Sequence, residues 1–506
     1  MMRALDTLID SVTMYRLTLY VLVGYVALGA IQAYAGLLPF SPGELLISTA
    51  FLVIICWAAN TLLAQIFNVP ANLESATLTA LILALIFDPP TSVGGLSFLG
   101  WVAILAMSSK YILALHNKHL FNPAAIAAVI AAFALNESAG WWVGTTAMLP
   151  GIAFGGWLIV RKTRQEGMVV TFLVTAFVVQ TLASLQQGTP VTTGFHRLLA
   201  DSPLIFFAFI MLTEPLTAPP TRRLKSIYAL IIGVLFIPQI HIGSLYSTPE
   251  LALVTGNLFA YLMSPKRKFA LKLREKTALA PDTVDFAFAA TQPLAFAPGQ
   301  YMEWTLGLPH ADSRGNRRYF TLASSPTESL LHLGVKFYEQ GSAFKEALRA
   351  LDEQATVLAG QIGGDFTLPT NPQQKLAFIA GGIGITPFRS MLKYLVDTNQ
   401  RRDIVVIYAN RIASDIVYGD VLDDAYRNLG IPVVYTLTDL SALPVDWSGG
   451  VGRVDAGMIA REIPDYRDRT FFLSGPPAMV RSNEQALLSL GVRRRQIKKD
   501  FFPGLV

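Results

Sequence analysis

Apolar runs of about span length recur through residues 1–265 and then stop. A bilayer core calls for roughly 20 consecutive apolar residues in a helix, with some slack for tilt. The runs lie near 17–37, 44–66, 73–88, 97–115, 121–136, 146–161, 168–186, 202–215, 225–241 and 250–264. They predict an α-helical membrane domain of about ten spans. Charge follows the same boundary. Only 11 of the 40 Lys and Arg and 10 of the 35 Asp and Glu fall within residues 1–265, so the rest of the chain has the charge density of a soluble protein. With 15% charged residues overall, against about 25% in ordinary soluble domains, a cytosolic enzyme and a disordered chain are both excluded. The first run is span-length and no small-residue cleavage site follows it, so no cleavable signal peptide is expected.

Basic residues set the expected orientation. With the N-terminus in the cytoplasm, the inner loops carry Arg3, Arg16, Lys118, Arg161, Lys162, Arg164, Arg222, Arg223, Lys225, Lys266, Arg267 and Lys268. The outer loops carry Arg197 alone. This bias predicts a multi-pass protein of the cell (inner) membrane whose N-terminus and second half are both cytoplasmic. The same distribution argues for lipid as partner and against a nucleic-acid surface. The single cysteine, Cys56, excludes an internal disulfide framework and a cysteine-ligated iron–sulfur cluster built from this chain alone.

Two segments of the membrane half read as functional backbone. Asp88-Pro89-Pro90-Thr91-Ser92 ends the third run, and Glu214-Pro215-Leu216-Thr217 ends the eighth. Phe121-Asn122-Pro123-Ala124 opens the fifth run from inside, and Thr255-Gly256-Asn257-Leu258 lies near the start of the tenth, outside. This pairing fits two five-span halves in an inverted repeat, with polar sites at broken helices. Asp88 and Glu214 are the intramembrane acids to weigh for ion handling, against a plain role as solvated caps. Four histidines, His116, His119, His196 and His241, fall in this half, none in mid-span and none repeated as pairs on two helices. They read as loop residues, which disfavours stacked hemes and leaves no metal site to name.

Lys118-His119-Leu120-Phe121-Asn122-Pro123-Ala124 and Met211-Leu212-Thr213-Glu214-Pro215-Leu216-Thr217 resemble signatures of a family of membrane subunits found in sodium-pumping NADH:quinone oxidoreductase and in the Rnf complex. The resemblance covers about residues 40–265. It implies ten spans in two inverted halves and a flavin in the membrane domain, with Asn122 and Thr217 as cofactor-binding positions. The family's Ser/Thr-Gly-Ala-Thr motif for covalent FMN is absent, and Gly144-Thr145-Thr146-Ala147 is a poor substitute. The expected second cofactor is therefore a non-covalent flavin, FMN or riboflavin.

From Lys268 the pattern changes. Short alternating runs at 269–276, 283–289, 300–306 and 330–338 predict a small antiparallel β-barrel. Apolar β-rich runs at 376–380, 404–408, 433–438 and 470–473, separated by amphipathic helices, predict a parallel doubly wound sheet. The expected domains are thus 1–265, 266–370 and 371–506. The barrel carries Arg318-Tyr319-Phe320-Thr321-Leu322-Ala323-Ser324-Ser325-Pro326. Here an arginine suits a pyrophosphate, Phe320 can pack on a flavin and Thr321 can donate to its N5 edge. Gly341-Ser342 precedes an expected helix over 344–351, whose first N–H groups suit a phosphate. Gly381-Gly382-Ile383-Gly384-Ile385-Thr386 forms a strand-to-helix turn that a dinucleotide can approach. Ser474-Gly475-Pro476-Pro477-Ala478-Met479 repeats that design at a second strand.

These three motifs in this order resemble the ferredoxin–NADP reductase superfamily over about residues 267–506. The resemblance implies FAD at Arg318, Tyr319, Phe320, Thr321, Ser324, Gly341 and Ser342. It implies a pyridine nucleotide at Gly381, Gly382, Gly384 and Thr386, with Ser474, Gly475, Pro476 and Met479 on the nicotinamide side. Thr321 and Ser474 are the expected catalytic positions. Two residues depart from the family pattern: Phe320 stands for its tyrosine and Ser474 for its cysteine. Arg411 suits either the 2′-phosphate of NADPH or the adenosine of NADH. The expected function is an integral-membrane oxidoreductase. It would take hydride from NAD(P)H onto FAD and pass electrons to a membrane flavin, a quinone or an extracytoplasmic flavin-carrying acceptor. The alternative is an ion or flavin transporter, or a membrane anchor, fused to a cytoplasmic NAD(P)H:flavin reductase.

Overall fold

A backbone in hydrocarbon must bond its own amides and carbonyls, and the apolar runs of the first half fold accordingly as helices. The computed structural model describes residues 9–500 except 10–11, 68, 70, 116–117, 244, 265–267, 293, 309–315 and 340. The expectations for Arg3, His116, Lys266, Arg267 and residues 501–506 fall outside the described residues. The chain forms two compact units that divide in sequence at 267/268.

Helices of the first unit include Met14–Tyr34, Pro42–Ile66, Leu73–Ile86, Val93–Ile112, Pro123–Ala134, Leu149–Thr163, Glu166–Gln186, Val191–Ala200, Arg222–Leu235 and Pro249–Met263. Four of them, Met14–Tyr34, Pro42–Ile66, Val93–Ile112 and Glu166–Gln186, are long and apolar enough to cross a membrane. Val191–Ala200 and Leu204–Met211 make a fifth if counted as one span bent by 63°. The described helices thus give four or five spans by length, and the expected ten is not reached. Several of the remaining runs fold as shorter helices, each opened by a polar cap. Asn72, Asn122, Thr221 and Thr248 each accept a first-turn backbone N–H and so start a new helix. Proline follows two of these caps, at Pro123 and Pro249, where its missing N–H costs nothing. The helices that result have 12 to 15 residues. At 1.5 Å per residue they reach roughly 18–23 Å, short of a core of about 30 Å. The run expected as the eighth span winds a π-turn over Phe207–Met211 just before Glu214.

The second unit holds two sheets. The first has six antiparallel strands in the order Arg317–Thr321, Tyr301–Thr305, Thr356–Gly363, Lys268–Ala280, Thr283–Ala290, Leu331–Lys336. Its outer strands meet where the Ala323 N–H donates to the His332 carbonyl at 2.9 Å, so the sheet curls around a core of Phe286, Phe288, Trp304 and Phe344. The second sheet is parallel, in the order Gly450–Val451, Val433–Leu437, Ile404–Asn410, Leu376–Gly381, Thr470–Ser474, Ile497–Lys499. Its central strands are buried at every position, as a sheet covered on both faces requires. The expected strands are present, with Arg317–Thr321, Thr356–Gly363, Gly450–Val451 and Ile497–Lys499 in addition. The chain enters this sheet at Leu376–Gly381, winds outward to one edge and returns to the other side at Thr470–Ser474. Strand order therefore reverses between these two neighbours, and open α/β sheets take ligands at such a reversal.

Phe378 is fully buried and stacks on Phe388 at 4.6 Å beneath that point. Phe378→Ala is expected to destabilise the second unit by about 3–5 kcal/mol, read as a lower midpoint in thermal denaturation of the full chain in detergent.

Candidate functional site

The reversal places two glycine turns side by side. Gly381 ends the first strand, Gly382-Ile383-Gly384-Ile385 winds a short 3-10 turn, and Thr386 starts the helix Thr386–Asp397. Ser474 ends the neighbouring strand, Gly475 turns, and Pro476 leads into the helix Pro477–Ser489. A Cβ on Gly384 would stand 2.6 Å from the Gly475 backbone, so only glycine lets the turns touch. Gly382 has φ +52, and a Cβ there would meet open space. Met479 packs its sulfur over Gly381. Thr386 donates its hydroxyl to the Ile383 carbonyl at 3.2 Å, closing the turn. All the residues expected around the pyridine-nucleotide turn are thus neighbours in space except Arg411. That residue lies at the end of the adjacent strand Ile404–Asn410, where its carbonyl accepts the Asp439 N–H at 3.0 Å.

Ser474 is buried and donates to Asp500 Oδ2 at 3.1 Å. Asp500 is in turn tied to this strand by its N–H, which donates to the Leu473 carbonyl at 2.9 Å. This carboxylate is absent from the sequence-based expectation. It lies 26 residues from its partner, and nothing in its local sequence marks it. Asp500 also bears on Tyr301: burial first, then the charges of Asp365 and Asp500, push the Tyr301 hydroxyl well above its ordinary value.

Within the antiparallel sheet the strand Arg317–Thr321 splits its motif between two faces. Arg318 and Phe320 both meet Phe344, at 5.3 Å from guanidinium to ring and 6.0 Å between rings. Phe320 thereby belongs largely to the core of this sheet. On the other face, Tyr319 donates to Glu303 Oε2 at 2.9 Å and sets its ring edge-on to Tyr301. Thr321 is paired across the strands with Tyr301. Ser324 is completely buried, and its hydroxyl has no hydrogen-bond partner among the described residues. Ser342 caps the helix Ala343–Arg349 by accepting the Lys345 N–H, one residue earlier than the expected helix start, with Gly341 just before it.

The first unit gathers a buried polar network from four distant segments. Asn122 caps the helix Pro123–Ala134, donates from Nδ2 to Glu214 Oε2 at 2.8 Å, and donates its backbone N–H to Asn257 Oδ1 at 2.8 Å. Thr217 donates to the same Glu214 oxygen at 3.1 Å, and Asn257 Nδ2 donates to the Tyr228 hydroxyl oxygen at 3.0 Å. The two expected cofactor positions, Asn122 and Thr217, therefore converge on Glu214. Two expectations need correction. Asn257 lies past the middle of the helix Pro249–Met263, which is how it reaches Asn122. His119 is no plain loop residue, because its Nε2 stands 4.0 Å from Glu214 Oε1. Asp88 meets a different segment: it packs against Gly140, while Trp141 bonds the Ile86 carbonyl through its N–H and Glu250 Oε2 through its indole. Tyr228 and Glu250 are absent from the sequence-based expectation, because no motif surrounds either of them.

Comparison with known proteins matches both halves. Residues 135–268 match the NQR2, RnfD, RnfE family, and residues 378–485 match the oxidoreductase NAD-binding domain. Among curated relatives is the glycine betaine monooxygenase reductase subunit of Chromohalobacter salexigens, 28% identical over 216 residues, 42% of this chain and 57% of that one. Another is NADH-cytochrome b5 reductase 1 of Ajellomyces capsulatus, 29% identical over 252 residues, 48% of this chain and 80% of that one. The chain thus spans little more than half the length of the first. A solved Amycolatopsis cytochrome P450 reductase aligns at 25% identity with a TM-score of 0.42, over 47% of this chain and 70% of that one. The chain thus resembles the NQR2, RnfD, RnfE family over residues 135–268 and the oxidoreductase NAD-binding domain over residues 378–485, and four of its described helices, or five with the bent pair, are long and apolar enough to cross a membrane.

Proposed function

We propose that this protein is an integral-membrane flavoprotein oxidoreductase that takes hydride from NADH in its second unit and passes electrons to a non-covalent flavin or quinone held by its first. The observation that carries this reading is the pair of touching glycine turns at the strand-order reversal, with Ser474 bonded to Asp500 beside them. FAD and NADH fit the residues present. The open space before Gly382 leaves room for a dinucleotide backbone, and the helix from Thr386 turns its N–H groups toward that turn. The orphaned Ser324 hydroxyl offers a buried donor, and the buried Arg318 suits a pyrophosphate. When bound, FAD supplies the exchange between two-electron and one-electron chemistry. Thr321 would hold the flavin N5 edge. Ser474, its hydroxyl oriented by Asp500, would hold the nicotinamide. Asn122, Thr217 and Glu214 would hold the second flavin by its polar edge, from broken helices as membrane sites commonly are.

NADH is favoured by Asp439. The hydroxyl and N–H of Ser441, with Arg411 adding to them, hold this carboxyl below its usual value, so it is ionised at neutral pH. Asp439 follows the strand Val433–Leu437 and bonds through its N–H to the Arg411 carbonyl past the neighbouring strand Ile404–Asn410, and a carboxylate there suits a ribose 2′-hydroxyl and repels a 2′-phosphate.

Four outcomes test the reading. Extracted cofactors should include FAD and a second flavin, both bleaching with NADH under anaerobic conditions. FAD alone would favour the transporter or anchor reading, and a Soret band that shifts on reduction would overturn the flavin assignment. Asn122→Ala should lose the second flavin and keep FAD. Gly384→Ala should abolish NADH binding at unchanged FAD content, because its Cβ forces the two turns apart. Asp439→Ala should raise the NADPH-to-NADH ratio of kcat/KM about tenfold, the equivalent of about 1.4 kcal/mol.

A further inference from the structure

The two sheets of the second unit meet along a seam that cofactor binding, as proposed, leaves unused. On the nucleotide side, Arg389 follows the glycine turn in the helix Thr386–Asp397 and is almost fully buried. It pairs with Glu328, Nη2 to Oε1 at 2.9 Å and Nη1 to Oε2, and Nη1 also donates to the Ala323 carbonyl at 3.0 Å. Glu328 in turn accepts the Ser325 N–H at 2.6 Å. One ion pair thus bolts the nucleotide helix to the loop that ends the flavin motif. Tyr418 makes the second bolt. It sits at φ +58, in the left-handed region that a bulky residue adopts only under constraint. Its ring lies under the Arg389 guanidinium at 5.5 Å, and its hydroxyl donates to Asp285 Oδ1 at 2.7 Å on the opposite sheet. His332 Nδ1 holds the other oxygen of Asp285 at 2.6 Å. Burial first, then the charge of Asp285, keep the Tyr418 hydroxyl protonated and therefore a donor.

Gly334 marks how close the lobes are. It is paired across the strands with Asp285. A Cβ on it would stand 2.4 Å from the Tyr418 hydroxyl oxygen and 3.0 Å from Thr386 Cγ2. The glycine turn is therefore seated directly on the antiparallel sheet, with no slack.

We infer that Tyr418 and Arg389 are positioning residues: through Asp285 and Glu328 they fix the nucleotide turn against the flavin strand and so set the gap the hydride crosses. This rests on the NADH-to-FAD reading. In that step the C4–H bond of NADH would break and an N–H bond at the flavin N5 would form, so that the hydride carries both electrons to FAD and leaves NAD+. Transfer over such a gap is sensitive to displacements of about 1 Å, which can cost up to 100-fold in rate.

The test is anaerobic stopped-flow reduction of the full-length holoprotein by NADH and by C4-deuterated NADH. Tyr418→Phe removes one bond and keeps the ring. It is expected to lower the limiting rate of flavin reduction about tenfold and to raise the isotope effect, with FAD content and the NADH Kd unchanged. Gly334→Ala, which pushes on the same hydroxyl, should slow reduction too. In the double variant the two losses should be non-additive, because Tyr418→Phe removes the atom that a methyl group at position 334 would strike. Unchanged limiting rates in both single variants, or losses confined to FAD content or NADH Kd, would overturn the positioning role. A wild-type protein whose flavin does not bleach with NADH would instead overturn the underlying reading, and the positioning role with it.

Discussion

The demand that every buried backbone amide and carbonyl find a partner shapes the first unit more than any other interaction. A helix that ran unbroken through hydrocarbon would meet this demand at no cost in polar side chains. Here several helices stop and restart, and each restart needs a cap. Asn122 supplies one, and having brought a polar side chain into the interior it must satisfy the rest of it. Its Nδ2 finds Glu214 and its N–H finds Asn257, which finds Tyr228. The polar network thus follows from breaking the helix, and a site for a polar cofactor edge is what such a network is suited to form.

A comparable closeness constraint governs the second unit. Gly384 and Gly475 touch backbone to backbone, and Gly334 admits Tyr418 and Thr386 with no room for a methyl group. Both contacts involve the same glycine turn, through Gly384 at one and Thr386 at the other. The Gly384–Gly475 contact holds distance well because no side chain lies between the backbones. The ion pair of Arg389 with Glu328 and the bond of Tyr418 to Asp285 add direction to that distance.

Local signals in the chain are legible. The Gly381–Thr386 turn, the Ser474–Met479 turn and the Arg318–Ser325 motif stand out because glycines, prolines and hydroxyl residues cluster within a few positions. Apolar periodicity locates the helices and most strands for the same reason. What the sequence hides is long-range. Asp500 meets Ser474, Tyr418 meets Asp285 133 residues away, and Asn122 meets Asn257 135 residues away. Asp500, Tyr418 and Asp285 have no neighbours that mark them, and no local signal pairs Asn122 with Asn257. The count of ten spans is not confirmed for a related reason: hydropathy registers apolar composition, while a cap such as Asn122 sets where a helix starts without changing the average of its window.

The central claim is that electrons entering at the glycine turns leave through the membrane unit. The direct measurement uses sealed vesicles with the second unit facing outward and ferricyanide trapped inside. Adding NADH outside should reduce the trapped acceptor, and reduction should stop in Asn122→Ala vesicles that still consume NADH with an external acceptor. Reduction of the external acceptor alone in the wild type would contradict a transmembrane path and leave the first unit as a transporter or an anchor.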